Sequence, residues 1–177
     1  MINLNEKKEN IEIIATKLFE KFTGTSGNIR LDQKERTGIQ VLVWQVNTKN
    51  FVMVPVKKPS VATQFFAIEK AVRAEVESDY TSQDSADLEL MKYAGSISIP
   101  MNEVPGFEKL DDDVLLTAST SGLKAEEDVA ISIAVLAEIT GLFFREICEL
   151  VLFYSRRQSL PDWYFKKDKS YFSFLFE

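Results

Sequence analysis

The chain has 177 residues but no histidine and a single cysteine, Cys148. Without histidine, Ser-His-Asp and Cys-His catalysis, histidine-ligated zinc and histidine-ligated haem are all excluded. One cysteine excludes a cysteine-rich metal site and an internal disulfide. The sequence also lacks a glycine-rich phosphate loop of either common type. We therefore expect a protein that binds or assembles rather than an enzyme, and we predict no metal site.

Long apolar runs and positive charge are also scarce. No stretch reaches the ~20 uninterrupted apolar residues of a membrane helix, and the N-terminus lacks the apolar run of a secretory signal. The 21 basic and 27 acidic residues give a net charge of −6, whereas a nucleic-acid-binding surface is normally basic. These features predict a cytoplasmic protein without nucleic-acid or membrane partners.

The apolar periodicity that is present indicates a helix followed by a hairpin. Residues 11–22 repeat apolar side chains at helical spacing. Residues 39–46 and 51–56 are rich in β-branched and aromatic side chains, and turn-favouring residues join them. Pro55 has no N–H to donate to a ladder, so we expect the second strand at a sheet edge.

A second helix is predicted over residues 60–78. Its apolar residues form one stripe, as is typical of the face that a helix packs on a core. Glu69 and Arg73 pair at i,i+4 outside that stripe. The stripe consists of Val61, Phe65, Ile68, Val72 and Val76.

The remaining pattern predicts a short helix from Asp84 to Gly95, strands at 96–101, 107–110 and 114–119, and a long last helix from about Ala125 to Arg157. The full order is α-β-β-α-α-β-β-β-α. We predict an α+β fold with an antiparallel sheet of about five strands, flanked by helices, and with the first and last helices on one face. We predict a single domain over residues 1–160 and an aromatic tail over residues 161–177 that packs on the domain or on an oligomer partner.

The last helix and the tail predict self-association. Residues 129–153 are apolar on nearly every side, whereas one stripe is enough to cover a sheet. The tail adds aromatic residues of the kind enriched in interfaces. We expect a homo-oligomer formed through this helix and the tail; in the alternative, the tail folds back over the helix within one chain.

The segment Thr117-Ala-Ser-Thr-Ser-Gly-Leu-Lys-Ala-Glu-Glu-Asp128 is the strongest candidate for a site. A strand there runs through small hydroxylated residues into the start of a helix, where free N–H groups and the helix dipole favour an anion. An ordinary strand-to-helix turn explains the same pattern and is the more frequent case.

The sequence resembles the GlcG/HbpS-like family, which includes the C-terminal domain of PduO-type proteins. The resemblance rests on Lys70-Ala71, on Ser98-Ile-Pro-Met101, and on Asp113-Val-Leu-Leu-Thr-Ala-Ser-Thr-Ser-Gly122 followed by Glu127-Asp128-Val-Ala130. It covers roughly residues 6–140. The resemblance implies a profilin-like fold, oligomers, and binding of haem or a cobalamin-like cofactor.

Together, the turn and the resemblance predict a small-ligand site at Lys70, Ser121, Gly122 and Asp128. The ligand is unknown; a tetrapyrrole is what the family implies, although the chain offers no histidine to ligate it. The alternative function is an acidic protein-interaction module such as a type III secretion chaperone. Those chaperones are similarly small and acidic, have a comparable order of elements, and dimerise.

Overall fold

A computed structural model of the chain describes residues 1–23, 36–76, 80–111 and 113–155. The predicted tail at 161–177 and the end of the last helix near Arg157 lie outside these residues. The elements in chain order are helix α1 (Lys8–Thr23), strands β1 (Gly38–Gln45) and β2 (Phe51–Lys57), helix α2 (Val61–Val76), strands β3 (Ser96–Pro100) and β4 (Leu115–Ser121), and helices α3 (Ala125–Thr140) and α4 (Phe144–Tyr154).

The four strands form one antiparallel sheet in the order β2-β1-β4-β3. The predicted hairpin is confirmed, with Trp44 opposite Phe51 at its closed end. β2 is an edge strand, as predicted from Pro55, which has no N–H to donate to a ladder. The α+β prediction is thus confirmed, with helices on both faces of the sheet.

The main hydrophobic core lies on one face of the sheet. Alternate residues of each strand point to that face, among them Val41 and Val43 of β1 and Ala118 of β4. α1, α3 and α4 supply the other side of the core. The prediction that the first and last helices pack on one face is therefore confirmed.

The opposite face of the sheet carries α2 and is more polar than the core face. Hydroxyl and amide side chains of β1, β3 and β4 lie on it beside Leu42, Trp44 and Met53, and α2 meets it through three small buried residues, Ala67, Ala71 and Ala74. The Ser119 hydroxyl donates a 2.7 Å hydrogen bond to the Ala67 carbonyl. The alanines allow this close approach, and none of the α2 side chains belongs to the main core. The polar residues of this face are Gln40, Ser96, Ser98, Thr117, Ser119 and Ser121.

The orientation of α2 is the opposite of the one expected from the sequence, in which the apolar stripe faces the core. The stripe Val61-Phe65-Ile68-Val72-Val76, which resembles a core-facing surface in the sequence, is exposed. Lys70 and Arg73 lie underneath and are buried. Glu69 and Arg73 do pair, as predicted, with Arg73 Nε 2.7 Å from Glu69 Oε1, but Arg73 belongs to the inner face of the helix.

Three predicted elements are wrong. Residues 84–95 form turns and an isolated bridge rather than a short helix, and residues 107–110 form a turn rather than a strand. The described residues therefore contain four strands instead of about five. The long last helix is divided at Gly141, which takes a left-handed conformation with φ of 77° and ends α3. At residues 84–95, turn-forming hydrogen bonds replace the predicted short helix; for example, the Glu89 N–H donates to Asp87 Oδ1.

α3 packs on the sheet between α1 and α4, which also contact the sheet, α1 at β2 and α4 at β3. Its apolar residues are buried on nearly all sides within one chain, among them Val129, Ile131, Ile133 and Leu136. The breadth of its apolar surface is thus accounted for without a second chain. None of the helices in the described ranges is long and apolar enough to cross a membrane.

Candidate functional site

A buried ion pair joins α2 to α3 across the end of the sheet. Lys70 Nζ lies 3.0 Å from Asp128 Oδ2 and 2.9 Å from the carbonyl oxygen of Thr120. Lys70 is 1% exposed and Asp128 2%. Because both charges are removed from water, each depends on the other for its stability.

Gly95, just before β3, provides the space through which Lys70 reaches this position. Its φ of 146° lies in a region that favours glycine. A Cβ at this position would lie 2.6 Å from Lys70 Nζ and 2.5 Å from the Thr120 carbonyl oxygen. The Ser132 hydroxyl of α3 donates a 2.7 Å hydrogen bond to the Gly95 carbonyl. The absent side chain is therefore what lets the lysine pass from the α2 layer to the α3 layer.

Asp128 also closes the turn between β4 and α3. Its Oδ1 accepts a 3.0 Å hydrogen bond from the Leu123 N–H. Burial raises the pKa of Asp128, and the Lys70 ammonium, with the N–H groups of Leu123 and Gly122, offsets part of that effect. The carboxyl thus acts as a common anchor for α2, the turn and α3.

A cavity of about 370 Å³ borders this ion pair. All four residues predicted from the sequence line it: Lys70 of α2, Ser121 and Gly122 at the end of β4, and Asp128 of α3. Lining residues that the sequence reasoning missed are Arg36, Ser60, Ala62, Thr63, Phe66, Tyr93, Ala94, Leu123 and Ala125. Their positions follow from the tertiary fold; Arg36 is separated from every predicted motif in the sequence.

The predicted anion site at the start of α3 is largely filled by the chain itself. The Leu123 N–H is bonded to Asp128, and the Lys124 N–H donates to Glu127 Oε2 at 3.2 Å. Acidic side chains thereby take the role predicted for a bound anion, as in many helix N-termini. The positive charge that faces the cavity comes instead from Arg36 and Lys70.

The Lys70 ammonium has three N–H groups. Two of them meet acceptors, Thr120 O and Asp128 Oδ2, and the third has no acceptor in the described part of the chain. The charged side chains that line the cavity are Arg36, Lys70 and Asp128, so the lining carries a net charge of +1. Phe66 and Tyr93, whose rings meet edge to face with centroids 5.5 Å apart, form an aromatic wall.

Cys148 is buried in the main core, and burial raises the pKa of its thiol, as expected of a packing residue. The described ranges contain no group of three or more His, Cys, Asp or Glu residues that could hold a metal ion.

Comparisons of the chain with protein-family models, with curated proteins and with solved structures find no match.

Proposed function

We propose that the protein binds a small anionic ligand in the cavity beside Lys70, Ser121, Gly122 and Asp128. The observation that carries the proposal is the convergence of these four residues with Arg36 on one cavity of about 370 Å³. Ligand sites commonly measure about 300–1,000 Å³ and combine an apolar wall with a few polar groups. The volume favours a compact ligand.

The chemistry of the lining favours a carboxylate or phosphate joined to a planar or apolar group. Arg36 and the remaining N–H of Lys70 suit an anion, the hydroxyls of Ser60 and Ser121 suit its polar atoms, and the wall of Phe66 and Tyr93 suits a ring. In this proposal Lys70 and Asp128 form the floor of the site, because each already satisfies the other's charge.

The lining does not suit the haem that the GlcG resemblance implies. Among the described lining residues only Tyr93 is of a type that ligates haem iron, and the chain has no histidine. The layer order, with α1 and α3 on one face of an antiparallel sheet and α2 on the other, supports the profilin-like fold that the resemblance also implies. We also propose that the protein is located in the cytoplasm.

Titration of the ¹⁵N-labelled protein with benzoate, succinate and inorganic phosphate tests this function. We expect benzoate to shift the amide signals of Thr63, Ser121 and Gly122. Because Arg36 supplies a charge-assisted hydrogen bond, Arg36→Gln should weaken binding about tenfold. Lys109→Gln is the matched control, since Lys109 is exposed and precedes β4 at the far end from Ser121. Shifts scattered over the surface, or equal binding by the two variants, would contradict the proposal.

An acidic protein-interaction module, such as a type III secretion chaperone, is the second candidate. The exposed apolar stripe of α2 favours it, because contiguous apolar surface on a soluble domain commonly marks a docking site. A polypeptide that purifies with the protein and shifts the amide signals of α2, but not those of Ser121 and Gly122, would favour this candidate over ligand binding.

A further inference from the structure

The outer face of α2 is apolar along its whole length. Every residue of α2 that is exposed is apolar, and the five large ones carry 41–82% of their possible exposure. They are Val61, Phe65, Ile68, Val72 and Val76, and we call them the α2 stripe. At 1.5 Å per residue the stripe runs about 22 Å, so it is a continuous surface rather than a scatter of single side chains.

Charge is absent from this face although α2 contains four charged residues. Lys70 and Arg73 are buried beneath the helix, and Glu69 and Glu75 are only partly exposed. Arg73 neutralises Glu69 through two contacts, Nε to Oε1 at 2.7 Å and Nη2 to Oε2 at 3.3 Å. Because no like charges oppose each other there, this face can approach a second copy even though the chain carries a net charge of −6.

The spacing of the stripe is self-complementary. Suppose that a second copy of α2 packs antiparallel across a two-fold axis close to Ile68. Val61 then faces the partner's Val76, Phe65 faces the partner's Val72, and Ile68 lies next to the partner's Ile68. Each stripe residue therefore meets another stripe residue, as a two-fold interface between identical surfaces requires, and the i, i+3, i+4 spacing forms ridges that interdigitate.

The segment beside α2 widens this surface. Arg73 donates to the Tyr93 carbonyl at 2.7 Å and to Ser85 Oγ at 2.8 Å, which fixes residues 85–93 against the helix. Four large side chains of this segment are exposed: Leu88, Leu90, Met91 and Tyr93. A stable dimer buries roughly 800 Å² on each partner, which is more than one helix face provides alone, so the inferred dimer needs part of this flank, with the exposed Asp87 and Glu89 at the rim of the interface.

From these observations we infer that α2 is the interface of a homodimer, in which two α2 stripes pack antiparallel. The interface is separate from the proposed ligand cavity, which opens beside the inner face of α2. Two other arrangements compete with it. In one, the stripe is covered by the chain that follows Ser155, whose Oγ donates to Asp84 in the segment beside α2. Alternatively, self-association uses the last helix and the tail, as predicted from the sequence.

Sedimentation velocity of the full chain at micromolar concentration separates these arrangements. We expect a dimer, and we expect Ile68→Glu to raise its dissociation constant about 100-fold, because two glutamates then meet at the two-fold axis. Ile13→Glu is the matched control: Ile13 is an exposed isoleucine of α1, 61% accessible, and its substitution should leave the dimer intact. Phe153→Glu, at an exposed position of α4, tests the last helix.

Cross-linking gives a second readout that does not depend on a disruptive charge. Ile68→Cys should form an intermolecular disulfide under mild oxidation, since the two copies lie side by side at the axis, whereas Ile13→Cys should not. A wild-type monomer overturns the inference and indicates that the stripe is covered within the chain or left open. A dimer that survives Ile68→Glu but dissociates in Phe153→Glu also overturns it and supports the last helix.

Discussion

Helices α1 and α2 have the same length of 16 residues but distribute their charges in opposite ways. All six charged residues of α1 are exposed, and its inner face is formed by Ile11, Ala15, Leu18, Phe19 and Phe22. α2 buries Lys70 and Arg73 and exposes its apolar stripe. The sheet explains the difference, because α1 packs on its apolar face and α2 on its hydroxylated face. An apolar stripe on a helix therefore indicates a surface to be covered, and not which partner covers it.

The contrast between the two helices is also energetic. α1 is held by burial of large side chains, each of which contributes about 1.5–3 kcal/mol. α2 buries mainly alanines and two charged side chains, so its attachment depends on polar contacts such as those of Lys70 with Asp128 and Thr120. Removing one partner of a buried pair is far more costly than removing an exposed charge.

Substitution of Lys70 is therefore expected to have the largest effect on the free energy of unfolding. Lys70→Met leaves the Asp128 carboxylate buried without its cation and should lower the free energy of unfolding by about 3–5 kcal/mol. Lys17→Met, which removes an exposed lysine of α1, should change it by less than about 0.5 kcal/mol. Urea denaturation at one fixed protein concentration measures both, and equal effects would break the contrast between the helices.

The same variant should respond to pH in a defined direction. Burial raises the folded-state pKa of Asp128 above its unfolded value of about 3.9. The native state then retains a proton that the unfolded state has lost, so stability falls as pH rises through the folded-state pKa. Because Lys70→Met removes the main offsetting charge, its loss of stability should shrink as pH falls from 8 towards 4.

A smaller effect is expected at Gly95. Gly95→Ala places a methyl group against Lys70 Nζ and the Thr120 carbonyl and should cost about 2–3 kcal/mol more than Gly106→Ala. Gly106 is the matched control, since it also has a positive φ, 88°, but no atom lies within 4 Å of the added Cβ. Thermal unfolding of the two variants tests whether the passage of Lys70 needs this glycine; equal losses would mean that only backbone conformation matters.

Much of the fold could be predicted because its signals are local. The hairpin, its edge proline and the two later strands follow from β-branched runs and turn residues. The α2 orientation could not be predicted in the same way. The alternation in Ser96-Ile-Ser-Ile-Pro100 indicates one polar and one apolar side of a strand, but not that a helix rather than solvent covers the polar side.

The candidate site was partly accessible from the sequence. Lys70, Ser121, Gly122 and Asp128 do line one cavity, although they come from separate elements. Gly95 was misassigned to the end of a helix, because a glycine after a polar segment is typical of a helix terminus. Its actual role, a close approach to the lysine of another element, depends on tertiary packing. The hydrogen bond between Ser132 of α3 and Thr120 of β4 also depends on tertiary packing and could not be predicted from the sequence.

The central claim is that Lys70 and Asp128 form a mutually dependent buried pair that joins α2 to α3. A double-mutant cycle with Lys70→Met and Asp128→Leu, followed by urea denaturation at pH 7, tests it most directly. We predict a favourable coupling energy of about 1–3 kcal/mol, with the double variant more stable than Lys70→Met alone because no unpaired charge remains buried. Additive losses, with the double variant the least stable of the set, would contradict the claim.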